Sequence, residues 1–454
     1  MVTPRKGLLS IATIAALGAL AACGTSSTTT SGTTGASGIA GCKGTITVAT
    51  DLPLTGGDAT DGPFPQLAAQ LAVTQANANH LMGGCTLKYI SKDDSTVLKN
   101  GHDPAQGAAN ITALASDGTV MGVVGPFNSN VALAEIPVAS QDHLALISPS
   151  NTNPCLTAVV AVCSDPTIKI DTASLYPGAH SYFRVIASDI QQGEIDAYVA
   201  AKVLNASKVY VIDDQEAYGR GLALIFTKAF TTTDGGTIAG SASLPGSTTT
   251  FATQISNAQA DGAQAIFFGG TSGNGCGLVR RDMGKAGLKI PLLGGDGCQD
   301  TKFITDANSG ANTTEAEGGY ATSAPDVTKL SSSATFFSQY AAAYASKAAP
   351  YNDGTKEPYT AYGYDAMNIL LQAIHSVLVA NGGQPPSAGT MAFRDAVVAA
   401  LHQTSYDGAL GHTTFDTNGD TTNTGFTLYK VSSGNWTGDG TYAVDTSGNV
   451  TLKS

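Results

Sequence analysis

The sequence carries little charge, and less of it is basic than acidic. Of 454 residues 13% are charged, with 23 Lys and Arg against 35 Asp and Glu, a formal net charge of −12. No basic stripe is present to grip a phosphate backbone, which argues against nucleic acid as a partner. Beyond the first twenty or so residues there is no apolar run of about 18, the length a spanning helix needs. Cys-x-x-Cys is missing and the seven histidines are scattered, so zinc-ligand spacing is lacking too. The Gly-x-Ser-x-Gly, His-Glu-x-x-His and P-loop signatures are also absent. Gly269-Gly270-Thr271-Ser272-Gly273-Asn274-Gly275 is glycine-rich, but no Gly-Lys-Ser/Thr ending follows. Asp416-x-Asn418-x-Asp420 starts like a calcium loop, yet its glycine is Gly419 and no downstream glutamate closes it, so it reads as a β-turn. The expectation is a chain with no catalytic site, no cofactor and no metal.

What is present begins at the N-terminus. Arg5-Lys6, an apolar stretch over 7–20 and Leu20-Ala21-Ala22-Cys23 have the layout of an export signal. The Leu-Ala-Ala-Cys run resembles the lipobox of bacterial lipoproteins, which implies acylation of Cys23 and a mature chain starting there. An ordinary signal peptide cut near Ala22 is the alternative. Residues 24–40 are almost wholly Gly, Ser, Thr and Ala, a flexible tether rather than a folding segment. The expected boundaries are a signal peptide at 1–22 and a lipidated tether at 23–43. The expected location is extracytoplasmic, held at the cell membrane by lipid on Cys23 alone.

Six further cysteines remain: Cys42, Cys85, Cys155, Cys163, Cys276 and Cys298. An even number in an exported chain suggests three disulfides, for which fifteen connectivities exist. Local organisation favours Cys155 with Cys163 across a short loop, Cys276 with Cys298 across a helix and strand, and Cys42 with Cys85 at two strand starts.

The remaining 410 or so residues suit two lobes. Strand patterns at 44–51, 87–90, 120–125 and 144–148 alternate with helical patterns. One helix carries Leu67 and Leu71 on one face; another is capped by Asp103 ahead of Pro104 and runs to Asp117-Gly118; a third covers 130–141. After Arg184 the pattern restarts, with helices at 189–204, 219–230, 251–259 and 278–286 and strands at 208–213, 237–244, 265–270 and 290–294. Such alternation predicts parallel sheets covered on both faces. Helices over 334–348, 358–380 and 391–403 and a late β segment, from Phe415 to Tyr442, predict a chain that crosses between lobes repeatedly. A cleft would then lie between the carboxyl ends of the two sheets.

The segments after those strands carry a resemblance. Asp-Leu-Pro-Leu-Thr-Gly-Gly at 51–57, Val-Val-Gly-Pro-Phe-Asn-Ser-Asn at 123–130, Ile-Ser-Pro-Ser-Asn-Thr-Asn-Pro at 147–154, Asp-Asp-Gln-Glu-Ala-Tyr-Gly-Arg-Gly at 213–221 and Gly-Gly-Asp-Gly at 294–297 are similar to the type I periplasmic binding proteins of the leucine/isoleucine/valine-binding kind. The resemblance implies two doubly wound α/β lobes joined by a multi-crossover hinge, with lobe 1 at 44–186 and 324–408 and lobe 2 at 187–323 and 409–454. It implies that Ser129, Ser150, Asn151 and Thr152 receive a ligand carboxylate, that Tyr218 closes over the ligand and that Asp296 pairs with its ammonium. Thr271 and Ser272 line the pocket where branched-chain binders carry an aromatic residue, and Asp296 is one methylene shorter than the glutamate common in amino-acid binders. Asp58 and Asp61 add two acids near the cleft. The implied function is the substrate-binding lipoprotein of an ABC importer, taking a branched-chain amino acid or a related small zwitterion or amide. Its partners would be that ligand, a permease and its ATPase subunits, with the protein itself a monomer. A lipid-anchored sensor with the same fold is the alternative.

Overall fold

The computed structural model describes residue 39 and residues 41–310, 313–386, 390–445 and 447–453. The export signal, Cys23 and nearly all of the tether lie outside the described residues. Among those described, no helix is long and apolar enough to cross a membrane.

The first lobe is built on a five-stranded parallel sheet in the order β2-β1-β5-β6-β7. These strands are β1 (Thr45–Leu52), β2 (Thr86–Asp93), β5 (Val120–Val124), β6 (Ala145–Ser148) and β7 (Tyr182–Arg184), and a small hairpin, β3 (Ser95–Thr96) with β4 (Gly101–His102), follows β2. β5 and β6 are buried along their whole length, as expected for parallel strands covered on both faces. The covering helices are α1 (Pro63–Ala78), α2 (Pro104–Ser116) and α3 (Ser129–Gln141). The Asp103 carboxylate caps α2, accepting from Ala105 N at 3.0 Å.

The second sheet has eight strands in the order β17-β16-β15-β12-β11-β10-β8-β9. β8 (Lys208–Asp213), β9 (Thr237–Ser243), β10 (Ala265–Gly269), β11 (Leu292–Gly294) and β12 (Gly319–Ser323) are parallel; β15 (Gly425–Ser432), β16 (Asn435–Val444) and β17 (Val450–Leu452) form an antiparallel meander on β12. Its helices are α4 (Asp189–Tyr198), α5 (Ala217–Thr232), α6 (Ala252–Ala260), α7 (Cys276–Lys285) and α8 (Thr301–Ala307). On the core side of α5, Phe226 stacks on Phe267 with ring centroids 3.9 Å apart.

Three departures from the sequence reading have physical causes. The second sheet is mixed rather than wholly parallel, because the late β segment returns as a meander. β12 was not expected: Gly-Tyr-Ala-Thr-Ser offers almost no apolar signal, and its burial comes from β11 and β15 on either side. The helix expected over 189–204 is α-helical to Tyr198 and finishes in a wider π-type turn over Val199–Val203.

After β12 the chain runs through α9 (Ala334–Tyr344), α10 (Thr360–Ala380) and α11 (Thr390–Leu401), then a hairpin of β13 (Ser405–Gly408) and β14 (Gly411–Thr414), before β15. α10 packs on α1, β5 and β6 of the first sheet. Leu370 lies directly over Gly122, where a Cβ would come within 2.5 Å of the leucine Cδ1. The chain thus passes between the two sheets after β7, after β12 and before β15.

Disulfides join Cys42 to Cys85, Cys155 to Cys163 and Cys276 to Cys298, with Cα–Cα distances of 5.0, 5.5 and 5.8 Å. The third ties the start of α7 to the loop after β11 that carries Asp296. Replacing both Cys276 and Cys298 with alanine is expected to lower stability by about 2–5 kcal/mol, measured as a shift in the urea midpoint against the parent chain.

Candidate functional site

The loops after β5 and β6 are sewn together before any ligand is considered. Ser148 Oγ donates to Pro126 O at 2.7 Å and accepts from Asn151 N at 2.9 Å. Ser150 Oγ and Asn151 Nδ2 both donate to Phe127 O, at 2.9 and 2.6 Å, and Tyr182 OH donates to Asn151 Oδ1 at 2.8 Å. Ser150 and Asn151 thus hold the loops to each other. Ser129, 3% exposed, is the first residue of α3, and Asn153 N approaches its Oγ at 3.5 Å. Thr152 is 1% exposed in the same corner. Two hydroxyls beside a helix N-terminus form a site suited to a carboxylate.

Arg184, the last residue of β7 and wholly buried, holds the back of this corner. Its Nη1 donates to Asn151 O and Asn153 O at 3.2 and 2.8 Å, Nη2 to Thr157 Oγ1 at 2.7 Å, and Nε to Asp420 Oδ1 at 2.6 Å. Asp420 sits in the Asp416–Asp420 turn just ahead of β15, so the turn found in the sequence serves as the anchor of an arginine.

In the second lobe Asp296 follows β11. Tyr218 OH, from the first turn of α5, donates to Asp296 Oδ1 at 2.7 Å, and Tyr359 OH, just ahead of α10, donates to Oδ2 at 2.6 Å. Burial raises the carboxyl above its ordinary value, and the bonds from Tyr359, Tyr218 and Gln192 partly offset that. Tyr359 also meets Phe127 edge-on, with centroids 5.4 Å apart. Phe127 precedes Ser129 by two residues, so Tyr359 links the acid to the hydroxyl corner. Thr271 Oγ1 accepts from Asn274 N at 3.2 Å, and Ser272 N donates to Gly297 O at 2.7 Å, joining the loops after β10 and β11.

A second group of acids lies near the cleft. Asp58, Asp300 and Glu357 are 4%, 6% and 4% exposed, and Thr60 Oγ1 donates to Asp300 Oδ2 at 3.2 Å. Asp61 is pushed well above the usual carboxylate range by desolvation and then by the negative charge of Asp300, Glu357 and Asp58. Desolvation likewise moves Asp300 up to about 6.

The lobes touch across the cleft. Asn153 Nδ2 donates to Ala217 O at 2.6 Å, and Arg220 Nε donates to Thr167 Oγ1 at 2.9 Å. His102 Nδ1 is 2.7 Å from Asp58 Oδ2 and Nε2 is 3.0 Å from Glu216 Oε2. Burial disfavours the imidazolium, but Asp58 and Glu216 outweigh it and raise the His102 pKa well above 6.5. A raised histidine stabilises fully below its unfolded value near 6.5, and that stabilisation fades as pH climbs through the folded value. The expected result is a stability that declines on the alkaline side in the parent chain and declines less in His102→Gln, read from urea midpoints between pH 6 and 10.

Of the residues expected from sequence, the structure draws together Ser129, Ser150, Asn151 and Thr152 in one corner and Tyr218, Asp296, Thr271 and Ser272 in the facing one. Sequence reasoning missed Tyr359, Arg184, His102 and Asp300. The Pro358-Tyr359 step before a helix looked like a plain helix start, and nothing local marks Arg184 as buried.

Two α/β lobes, repeated crossings between them and polar loops closing on one cleft define a bilobal solute receptor. The chain belongs to the periplasmic binding protein family, whose model matches residues 45–435. It is 29% identical over 393 residues to the Leu/Ile/Val-binding protein homolog 3 of Brucella melitensis, covering 86% of this chain and 92% of that one. Among solved structures it is similar to a leucine binding protein, LivK, from Thermotoga maritima (TM-score 0.70, 23% identity, 87% of this chain and 98% of that chain). It is also similar to the substrate binding protein LivJ from Streptococcus pneumoniae in complex with isoleucine (TM-score 0.67, 22% identity, 90% and 100%). The chain is thus a type I extracytoplasmic solute-binding protein related to the Leu/Ile/Val-binding proteins of ABC importers, a class that binds and does not catalyse.

Proposed function

We propose that this chain captures an α-amino-acid zwitterion between its lobes and delivers it to an ABC permease and its ATPase subunits, while lipid on Cys23 holds it at the membrane as a monomer. The observation that carries this reading is the Asp296 carboxylate, oriented by two tyrosine hydroxyls at 2.7 and 2.6 Å and placed opposite the Ser129 and Thr152 hydroxyls, of which Thr152 also meets the buried Asp189 carboxyl. An acid at one end and hydroxyls at a helix N-terminus at the other suit an ammonium and a carboxylate respectively. The names of the relatives support leucine, isoleucine or valine as ligand. The small polar lining of Thr271 and Ser272, with the acids Asp61 and Asp300 nearby, instead favours a polar or cationic side chain over a purely aliphatic one, because acids in a cleft attract a cation. Binding favours the closed arrangement because only that arrangement lets both lobes contact one ligand.

The test is a thermal-shift panel of aliphatic, polar and cationic amino acids, amides, urea and benzoate, since a ligand selective for the folded state raises Tm. Shifts with amino acids and none with benzoate, which has no ammonium, are expected. A response to benzoate alone would overturn the zwitterion reading. For the anchor, Cys23→Ala is expected to abolish labelling by a radioactive fatty acid and to release the protein from membranes.

A further inference from the structure

Beneath the hydroxyl corner lies a group of side chains that the cleft does not use. Asp51 at the end of β1, Asp94 just after β2 and Glu135 in the second turn of α3 are each 0% exposed. One carboxylate oxygen from each lies within 4.8 Å of the others. The one donor that reaches the group among the described residues is Asn110 Nδ2, 2.9 Å from Asp51 Oδ1. Asp51 and Glu135 share a hydrogen bond when one of them holds a proton; no donor from outside the group reaches Asp51 Oδ2, either oxygen of Asp94 or either oxygen of Glu135. The nearest histidine, His102, is already engaged by Asp58 and Glu216. Three buried carboxyl groups that receive one donor from outside the group would carry a large uncompensated negative charge if all were ionised, which is what a bound cation would offset.

We propose that Asp51, Asp94 and Glu135 bind one calcium ion. The donor set is all oxygen and all carboxylate, which selects a hard divalent cation over zinc or copper. Calcium bonds to oxygen at about 2.3–2.6 Å and accepts an irregular cage made wholly of protein, whereas magnesium prefers to keep several waters. A site whose ligands are fully enclosed leaves little room for those waters, and an oxygen spread of up to 4.8 Å spans one calcium. The surroundings are shaped for close approach: a Cβ on Gly107 of α2 would come within 2.7 Å of Glu135 Oε1. Without a cation the group persists by holding protons: burial drives Asp51 up to about 7 and moves Asp94 and Glu135 well above the usual range. A bound ion would join the ends of β1 and β2 to α3, the helix whose first residue is Ser129.

The experiment uses the full chain purified in detergent, stripped with EDTA and desalted. Adding calcium is expected to raise Tm by several degrees and to load one ion per chain by elemental analysis. Glu135→Gln removes one charge with little change of shape. That variant is expected to lose the calcium shift while melting no lower than the stripped parent. Asp94→Asn provides an independent second variant with the same expected loss. The proposal is overturned if millimolar calcium leaves the parent's Tm unchanged and no stoichiometric metal is found. It is equally overturned if calcium binding persists unchanged in both variants, or if the parent takes magnesium in preference to calcium.

Discussion

Replacing Asp296 with alanine is expected to weaken binding of an amino-acid ligand by about 3–5 kcal/mol, the cost of leaving one member of a buried charge pair without its partner. In affinity this is a loss of roughly two to three and a half powers of ten, read by titration calorimetry. The physical case rests on enclosure. The carboxylate is 9% exposed and sits between Tyr218 and Tyr359, so water cannot replace it beside an ammonium. Tyr359→Phe removes one of the two orienting bonds and is expected to cost less, about 0.5–1.5 kcal/mol. Equal losses in the two variants, or an unchanged affinity in Asp296→Ala, would show that the ligand is oriented by something else.

Arg184→Met is expected to destabilise the fold by about 3 kcal/mol or somewhat more, near the low end for a broken buried pair because the Asp420 side chain is 23% exposed. Methionine has similar length but no donors, so Asn151 O, Asn153 O and Thr157 Oγ1 all lose a partner. A urea unfolding series measures the stability. Because these acceptors belong to the corner that carries Thr152, ligand affinity is expected to fall along with it. A variant that loses stability but binds normally would separate the arginine from the site.

The alternation of strand and helix was legible over most of the chain, because hydrophobic periodicity and caps are local. Lys208–Asp213, with its β-branched and aromatic residues, and α2, with Asp103 and Pro104 at its start, illustrate this. Legibility failed where burial came from neighbours rather than from the segment's own residues, as in β12, or where a charged residue ended a buried strand, as at Arg184. The residue types suited to a zwitterion, Ser129, Thr152, Tyr218 and Asp296, could be named from their segments and the family they resemble. That Ser150 and Asn151 would both bond to Phe127 O could not, because it depends on how two loops separated by about twenty residues pack.

The sequence by itself determined the lobes' construction, the cysteine pairs that local organisation favours and the chemistry of the post-strand loops, since each depends on neighbours a few residues apart or on short motifs. Only the tertiary structure decided that Tyr359 would reach Asp296 from the far side of the cleft and that His102 would bridge Asp58 and Glu216. It also decided that Asp51, Asp94 and Glu135 would converge in one buried cluster. Those meetings join segments that are remote in sequence, and they exist because the crossings between sheets and the packing of α2, α3 and α10 bring them to one place.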